Sequence, residues 1–388
     1  MTPKFRRSAM LVVMVMVMSA ILSACGADPT ATPIAAPTAT TAASNPTATT
    51  AVSEPTATEA ATDPTSTTMA SEPTAEPTAP AELRTVRLGY IPVMIFAPIY
   101  VGIERGYFAE EGLKLELTPL QGGSDSVVQL AAGNFDVAVG GAGAGLFNAA
   151  NSGIEFKIVA PMHSEKPPLT TPLVISAKRK DELKTVADLK GKKVAINATG
   201  AATEYWLSEA LKKNGMTFDD IQLTSLAFRD VPAALESGSL DASMLGEPLV
   251  TTNVDQGIVS ILANDFINGF TATYLYMGAP FMKDNPEAAQ GFMRAYLKAC
   301  RDLQGDYLKD DPEIATIVEK YTQVPADVVA RAAAPQYNAD GVVPMADLET
   351  LQEFFIARGE LQYTEPLDLS GFVDVSVAEQ AVEDLKTP

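Results

Sequence analysis

From Val86 onward, short apolar runs of strand length alternate with helical segments, twice over, before the chain turns almost wholly helical beyond Pro286. The spacing predicts strands over 86–90, 113–119, 136–139 and 156–160, with helices over 98–105, 127–132 and 144–150 between them. A further strand at 173–176 closes this first run, and a second unit follows. It has strands at 194–196, 221–225 and 240–245, with helices at 199–213 and 231–237. Helices then recur at 287–307, 313–321, 326–333 and 345–358. Strand–helix alternation implies a mostly parallel sheet covered by helices, and two such runs imply two bodies. The expected class is therefore α/β, two-lobed, with a helical C-terminal section. Lobe 1 is expected over 83–176 and 272–388, lobe 2 over 177–271, with hinges near Ile175 and Thr271.

What precedes Leu83 cannot build a core. Lys4, Arg6 and Arg7 lead an apolar run from Ala9 to Leu22, which reads as a secretory signal over 1–24, too short to span a bilayer comfortably. Leu22-Ser23-Ala24-Cys25 resembles the bacterial lipobox, after which Cys25 is freed and lipidated. The 25–82 stretch is then almost entirely Thr, Ala, Pro, Ser and acidic residues, without an aromatic side chain. Such a composition has too little apolar surface to offset the entropy of ordering, so it predicts a solvated, disordered tether. The implied location is the extracytoplasmic face of the cell membrane, held by lipid.

Charge and chemistry narrow the function. The chain carries 28 basic against 48 acidic residues, a net charge of −20, which repels phosphate backbones and argues against nucleic acid as a partner. Beyond Cys25 the only cysteine is Cys300, at helical spacing within 292–300, where it reads as a small buried hydrophobe. His163 is the single histidine. Paired-histidine catalysis and histidine-rich metal sites are thereby excluded, and neither a metal nor a cofactor is expected. Gly141-Ala142-Gly143-Ala144-Gly145 lacks dinucleotide spacing, and Gly191-Lys192-Lys193 lacks the phosphate-loop glycine.

Several stretches resemble the type 2 substrate-binding proteins of ABC importers. They are Gly89-Tyr90-Ile91-Pro92, Gly106-Tyr107-Phe108 with Gly112-Leu113, Leu130 to Ala138, Val186 to Ala195, and Ala233 to Ala242 with Gly246-Glu247-Pro248. The branch they are most similar to handles sulfonates, nitrate, taurine, thiamine pyrimidine precursors and riboflavin. The resemblance implies a periplasmic-binding-protein type 2 fold with a ligand cleft between lobes. It also implies a permease with its ATPase as partners, and a monomer.

The cleft candidates follow from where open α/β sheets bind ligands, at the carboxyl ends of their strands. They are Met94 and Phe96 after the first strand, then Gln121, Gly122 and Ser124 after the second, with Asp125 beside them. Gly141 follows the third, and Thr199, Thr203, Tyr205 and Trp206 open a helix of the second lobe, with Glu247 completing the set. Gly106 and Gly112 sit at a helix stop and a strand entry, positions that want positive φ. These loops contain no Lys or Arg, and Arg229 and Lys166 nearby read as solvated. Aromatic faces with neutral hydrogen-bonding groups and one carboxylate suit a neutral heteroaromatic vitamin or precursor, riboflavin or a thiamine pyrimidine. The alternatives are a small sulfonate, taurine or nitrate, or, more distantly, a carboxylate-based surface enzyme using Asp125 and Glu247, or an adhesive module. His163 is a further candidate at the cleft edge.

Overall fold

The computed structural model describes residues 83–120 and 124–386, with the backbone alone at 124 and 125. The signal and tether segments, Cys25, Gln121 and Gly122 lie outside the described residues.

Among the described residues ten strands form two five-stranded sheets. They are β1 (Arg84–Tyr90), β2 (Leu113–Pro119), β3 (Val137–Gly141), β4 (Phe156–Glu165), β5 (Leu173–Ser176), β6 (Lys193–Ile196), β7 (Gln222–Ser225), β8 (Ala242–Met244), β9 (Val259–Ala263) and β10 (Phe270–Gly278). Sheet one runs β2-β1-β3-β10-β4 and sheet two runs β7-β6-β8-β5-β9. Within each, three strands are parallel neighbours, and the chain's crossings add antiparallel strands: β10 against β3 and β4, β5 against β8 and β9.

Two expectations are corrected by this pairing. The 173–176 strand bonds to β8 and β9, so it belongs to sheet two rather than to the first lobe. Ile175 and Thr271 consequently sit inside β5 and β10, held by ladder hydrogen bonds. The chain crosses between the sheets at 166–172 and 264–269 instead.

The strands β3, β5 and β10 are buried almost along their length, as strands covered on both faces must be. Against one face of sheet one pack the Ala97–Glu104 and Pro286–Asp302 helices, which bury Tyr100, Val101, Phe292, Tyr296 and Cys300 with Val86 and Leu88. Phe108 meets Phe292 at 5.0 Å between ring centroids. Arg105 ties the same layer together, donating to Asp302 at 2.5 Å and to Asp311. Gly106 (φ 77°) and Gly112 (φ 70°) take the left-handed conformation that their positions called for, which a side chain would strain.

The Met345–Ala357 helix reaches both bodies. Its Phe355 packs with Phe147 of the first body, while Phe354 lies 5.3 Å from the Tyr205 ring of the second. Arg358, just beyond, donates to Glu204 at 2.9 Å. This helix therefore bridges the two bodies instead of belonging to one.

Candidate functional site

Three loops at the carboxyl ends of parallel strands converge between the sheets. After β1 the chain makes a short 3-10 turn over Met94–Phe96, and after β3 it runs through Gly143 into the Ala144–Asn151 helix. After β6 it passes Asn197 and Gly200 into the Ala202–Lys213 helix. A cavity of about 70 Å³ lies among them. Its apolar wall is Ile91, Val93, Ile95, Phe96, Val127, Leu146, Trp206 and Phe228. The polar wall groups are His163, Thr171, Asn197, Thr203 and Thr273, and Gly140, Gly141, Gly143, Gly145 and Gly200 bring backbone close to the space. Among the described residues of this wall there is no Lys or Arg.

The two bodies touch directly around this space. Ala144 N–H donates to the Gly200 carbonyl at 2.9 Å, and Met94 N–H to the Glu247 carbonyl at 3.1 Å. The close approach depends on glycine. A Cβ at Gly143 would fall well inside contact distance of the Gly200 carbonyl oxygen, and one at Gly141 would sit 3.1 Å from Ala202 Cβ.

Beside the Ala144–Gly200 contact lies a carboxylate pair. Glu204, fully buried, accepts the Gly200 N–H at 2.9 Å and the Arg358 guanidinium at 2.9 Å. Glu360 Oε2 lies at the same turn, buried and without a hydrogen-bond partner among the described residues. Burial and then the neighbouring Glu204 carboxylate push the Glu360 carboxyl up to about 7.

The expected site residues divide. Phe96, Gly141, Thr203 and Trp206 are on the cavity wall, together with His163. Thr203 Oγ1 donates to Asn197 Oδ1 at 2.5 Å, so the two act as one polar patch. Met94, Tyr205, Thr199 and Glu247 are placed elsewhere. Met94 is fully buried in the core of sheet one. Tyr205 stacks into Phe270 at 4.8 Å and Phe354 at 5.3 Å, since its position on the helix turns it away from the cavity. Thr199 is exposed and paired with Ser225 Oγ at 3.0 Å.

Glu247 serves its own helix. Its carboxylate accepts Thr251 N–H at 3.0 Å and Thr251 Oγ1 at 2.9 Å in the first turn of the Leu249–Asp255 helix, and Ala333 N–H at 3.4 Å. Burial raises its pKa against those bonds. Ser124 begins the Ser124–Ala131 helix. Lys166 and Arg229 are exposed, as expected.

Wall residues that the loop reading did not reach include Ile91, Val127, Leu146, Thr171 and Thr273. Thr171 lies on the crossing into sheet two. Thr273 lies on β10, a strand that returns to sheet one from far along the chain, and no local pattern announces either placement.

Comparison with known proteins bears on this arrangement. Residues 79–319 match the model of the NMT1-like family. The chain is 29% identical over 287 residues to the riboflavin-binding protein RibY of Chloroflexus aurantiacus, covering 73% of this chain and 70% of that one. It is 32% identical over 134 residues to a putative aliphatic sulfonates-binding protein of Escherichia coli, covering 34% of this chain and only 42% of that protein's length. The periplasmic nitrate-binding protein NrtA of Synechocystis superposes with a TM-score of 0.66 at 17% identity, over 79% of this chain and 90% of that one. That likeness shows the fold of periplasmic binding proteins, with its two mixed sheets and covering helices. The chain belongs to the NMT1-like family.

Proposed function

We propose that this protein is the extracytoplasmic substrate-binding component of an ABC importer, anchored through a lipidated Cys25 and working as a monomer. It captures a neutral heteroaromatic vitamin or precursor, riboflavin or a thiamine pyrimidine, between its two bodies and delivers it to a permease driven by a cytoplasmic ATPase. The crossings at 166–172 and 264–269 act as the hinge, so that binding and closure are one event.

The observation that carries this reading is the makeup of the cavity wall. Phe96, Trp206 and Phe228 supply ring faces, each worth about 0.5–1.5 kcal/mol beyond buried area against a flat ligand. Thr171, Asn197 and Thr203 supply neutral donors and acceptors. An anion would enter a wall that offers no described cationic side chain and would lose its hydration there. Similarity to RibY supports riboflavin. Similarity to the putative aliphatic sulfonates-binding protein of Escherichia coli favours a second reading, in which a small sulfonate, taurine or nitrate fills the closed cleft. Calorimetric titration of the purified protein with riboflavin, an aminopyrimidine, taurine and nitrate decides between them. Heat from a ring compound alone supports the first reading, and heat from taurine or nitrate alone overturns it.

A further inference from the structure

The chain's one histidine sits on β4 at the cavity wall, 3% exposed. Its Nδ1 side is taken by Thr273 Oγ1 on the adjacent strand β10. Nε2 has no hydrogen-bond partner among the described residues, an uncommon state for a buried ring nitrogen. The nearest charged group is Glu165 Oε1, 3.5 Å away and too distant for a hydrogen bond. Glu165 is itself 1% exposed and committed to Thr170, whose hydroxyl it accepts at 2.5 Å and whose N–H it accepts at 2.7 Å.

These contacts assign the ring proton. Hydrogen bonds donated to Glu165 favour its carboxylate form. A lone pair on Nε2 would face that carboxylate, whereas an N–H points its positive end toward it. Nε2 is thus a donor without a close partner, on a residue of the cavity wall. We propose that His163 Nε2–H is the ligand-orienting donor of the cleft, engaging an in-plane acceptor of a flat ring compound, either a ring nitrogen or a carbonyl oxygen. The proposal rests on the binding-protein reading and deepens it. Glu165 adds selectivity, because an anion brought to Nε2 would lie close to a buried carboxylate with no cation on the wall to offset it.

A single histidine gives one imidazole signal set in protein labelled with ¹⁵N-histidine. In the free protein Nε2 should appear protonated, and saturating riboflavin or the aminopyrimidine should shift it. His163→Phe should weaken that ring compound about tenfold, while His163→Gln, which retains an N–H donor, should recover part of the loss. Melting curves show whether each variant is folded, and if His163→Phe is not, the imidazole spectrum and His163→Gln carry the test. Glu165→Gln should admit taurine or nitrate more readily than the parent protein does. An unprotonated Nε2 in the free protein overturns the proposal, as does a ring compound that binds without moving the imidazole signal or binds His163→Phe undiminished. Failure of the ring-ligand reading looks different: taurine or nitrate, and neither ring compound, would bind the parent protein and shift Nε2.

Discussion

Alanine in place of Gly143 separates closure of the two bodies from their folding. Gly143 has φ −96° and ψ −177°, an extended conformation that alanine adopts freely, so the first body should fold with the substitution in place. The added methyl, however, points at the facing turn. It would overlap the Gly200 carbonyl oxygen and sit 3.2 Å from the carbonyl carbon and 3.4 Å from Ala201 Cα. These are backbone atoms that no rotamer change can move aside. Relieving the overlap needs about 1 Å of separation at normal contact distances. That separation breaks the 2.9 Å hydrogen bond from Ala144 N–H to the Gly200 carbonyl. A lost hydrogen bond of about 1 kcal/mol together with about 1 kcal/mol of overpacking puts the penalty on the closed form near 2 kcal/mol. Ligand affinity should then fall roughly thirtyfold. Calorimetry measures the affinity, and small-angle scattering measures compaction when ligand is added. Parent-like affinity together with parent-like compaction in Gly143→Ala would refute the idea that the cleft closes by this backbone contact.

Other expectations follow from the same geometry. The Glu360 carboxyl, raised from an ordinary 4.5 to about 7, binds its proton more tightly folded than unfolded, so the stability it contributes is full below about 4.5 and is lost as pH rises toward 7. Glu360→Gln should flatten the decline in melting temperature across that window, and an unchanged pH profile would count against the carboxylate pair. Trp206, the only tryptophan and 3% exposed on the cavity wall, should change its emission when a ring compound binds, and Trp206→Ala should cost about 3–5 kcal/mol in denaturant unfolding. Burial pushes the Cys300 thiol up to about 12. In a chain truncated to begin after Cys25, a thiol reagent at neutral pH should therefore react only on unfolding, and rapid native reaction would contradict that burial.

Much of the architecture was legible because periodicity reports burial. Strands β1, β2, β3 and β6 and the helices that follow them were readable from alternation and from turn glycines. Gly106 and Gly112 were legible for a local reason, the need for positive φ at a helix stop and a strand entry. By contrast β9 and β10 passed unread. Phe270–Gly278 is buried on both faces between β3 and β4 of sheet one, so its run of Thr, Ala, Tyr, Leu and Met shows no alternation, and its partners lie far back in the chain. The same non-local pairing hid Thr273 from the list of wall residues. Loop position pointed to Phe96, Gly141 and Thr203, which line the cavity, but side-chain direction is set by packing. Tyr205 and Trp206 are sequence neighbours on one helix, yet only Trp206 reaches the cavity wall, while Tyr205 turns into Phe270 and Phe354. Glu247 differs for a related reason: a carboxylate at the start of a helix serves that helix first, and Thr251 occupies both of its oxygens.

The central claim is that an uncharged ring compound lies between the two bodies, and the most direct test is the ligand that the protein carries from its own source. Released from natively purified protein and identified by mass and absorbance spectrum, that ligand should be riboflavin or a thiamine-type pyrimidine, at about one per chain. A sulfonate or nitrate in that stoichiometry would contradict the account.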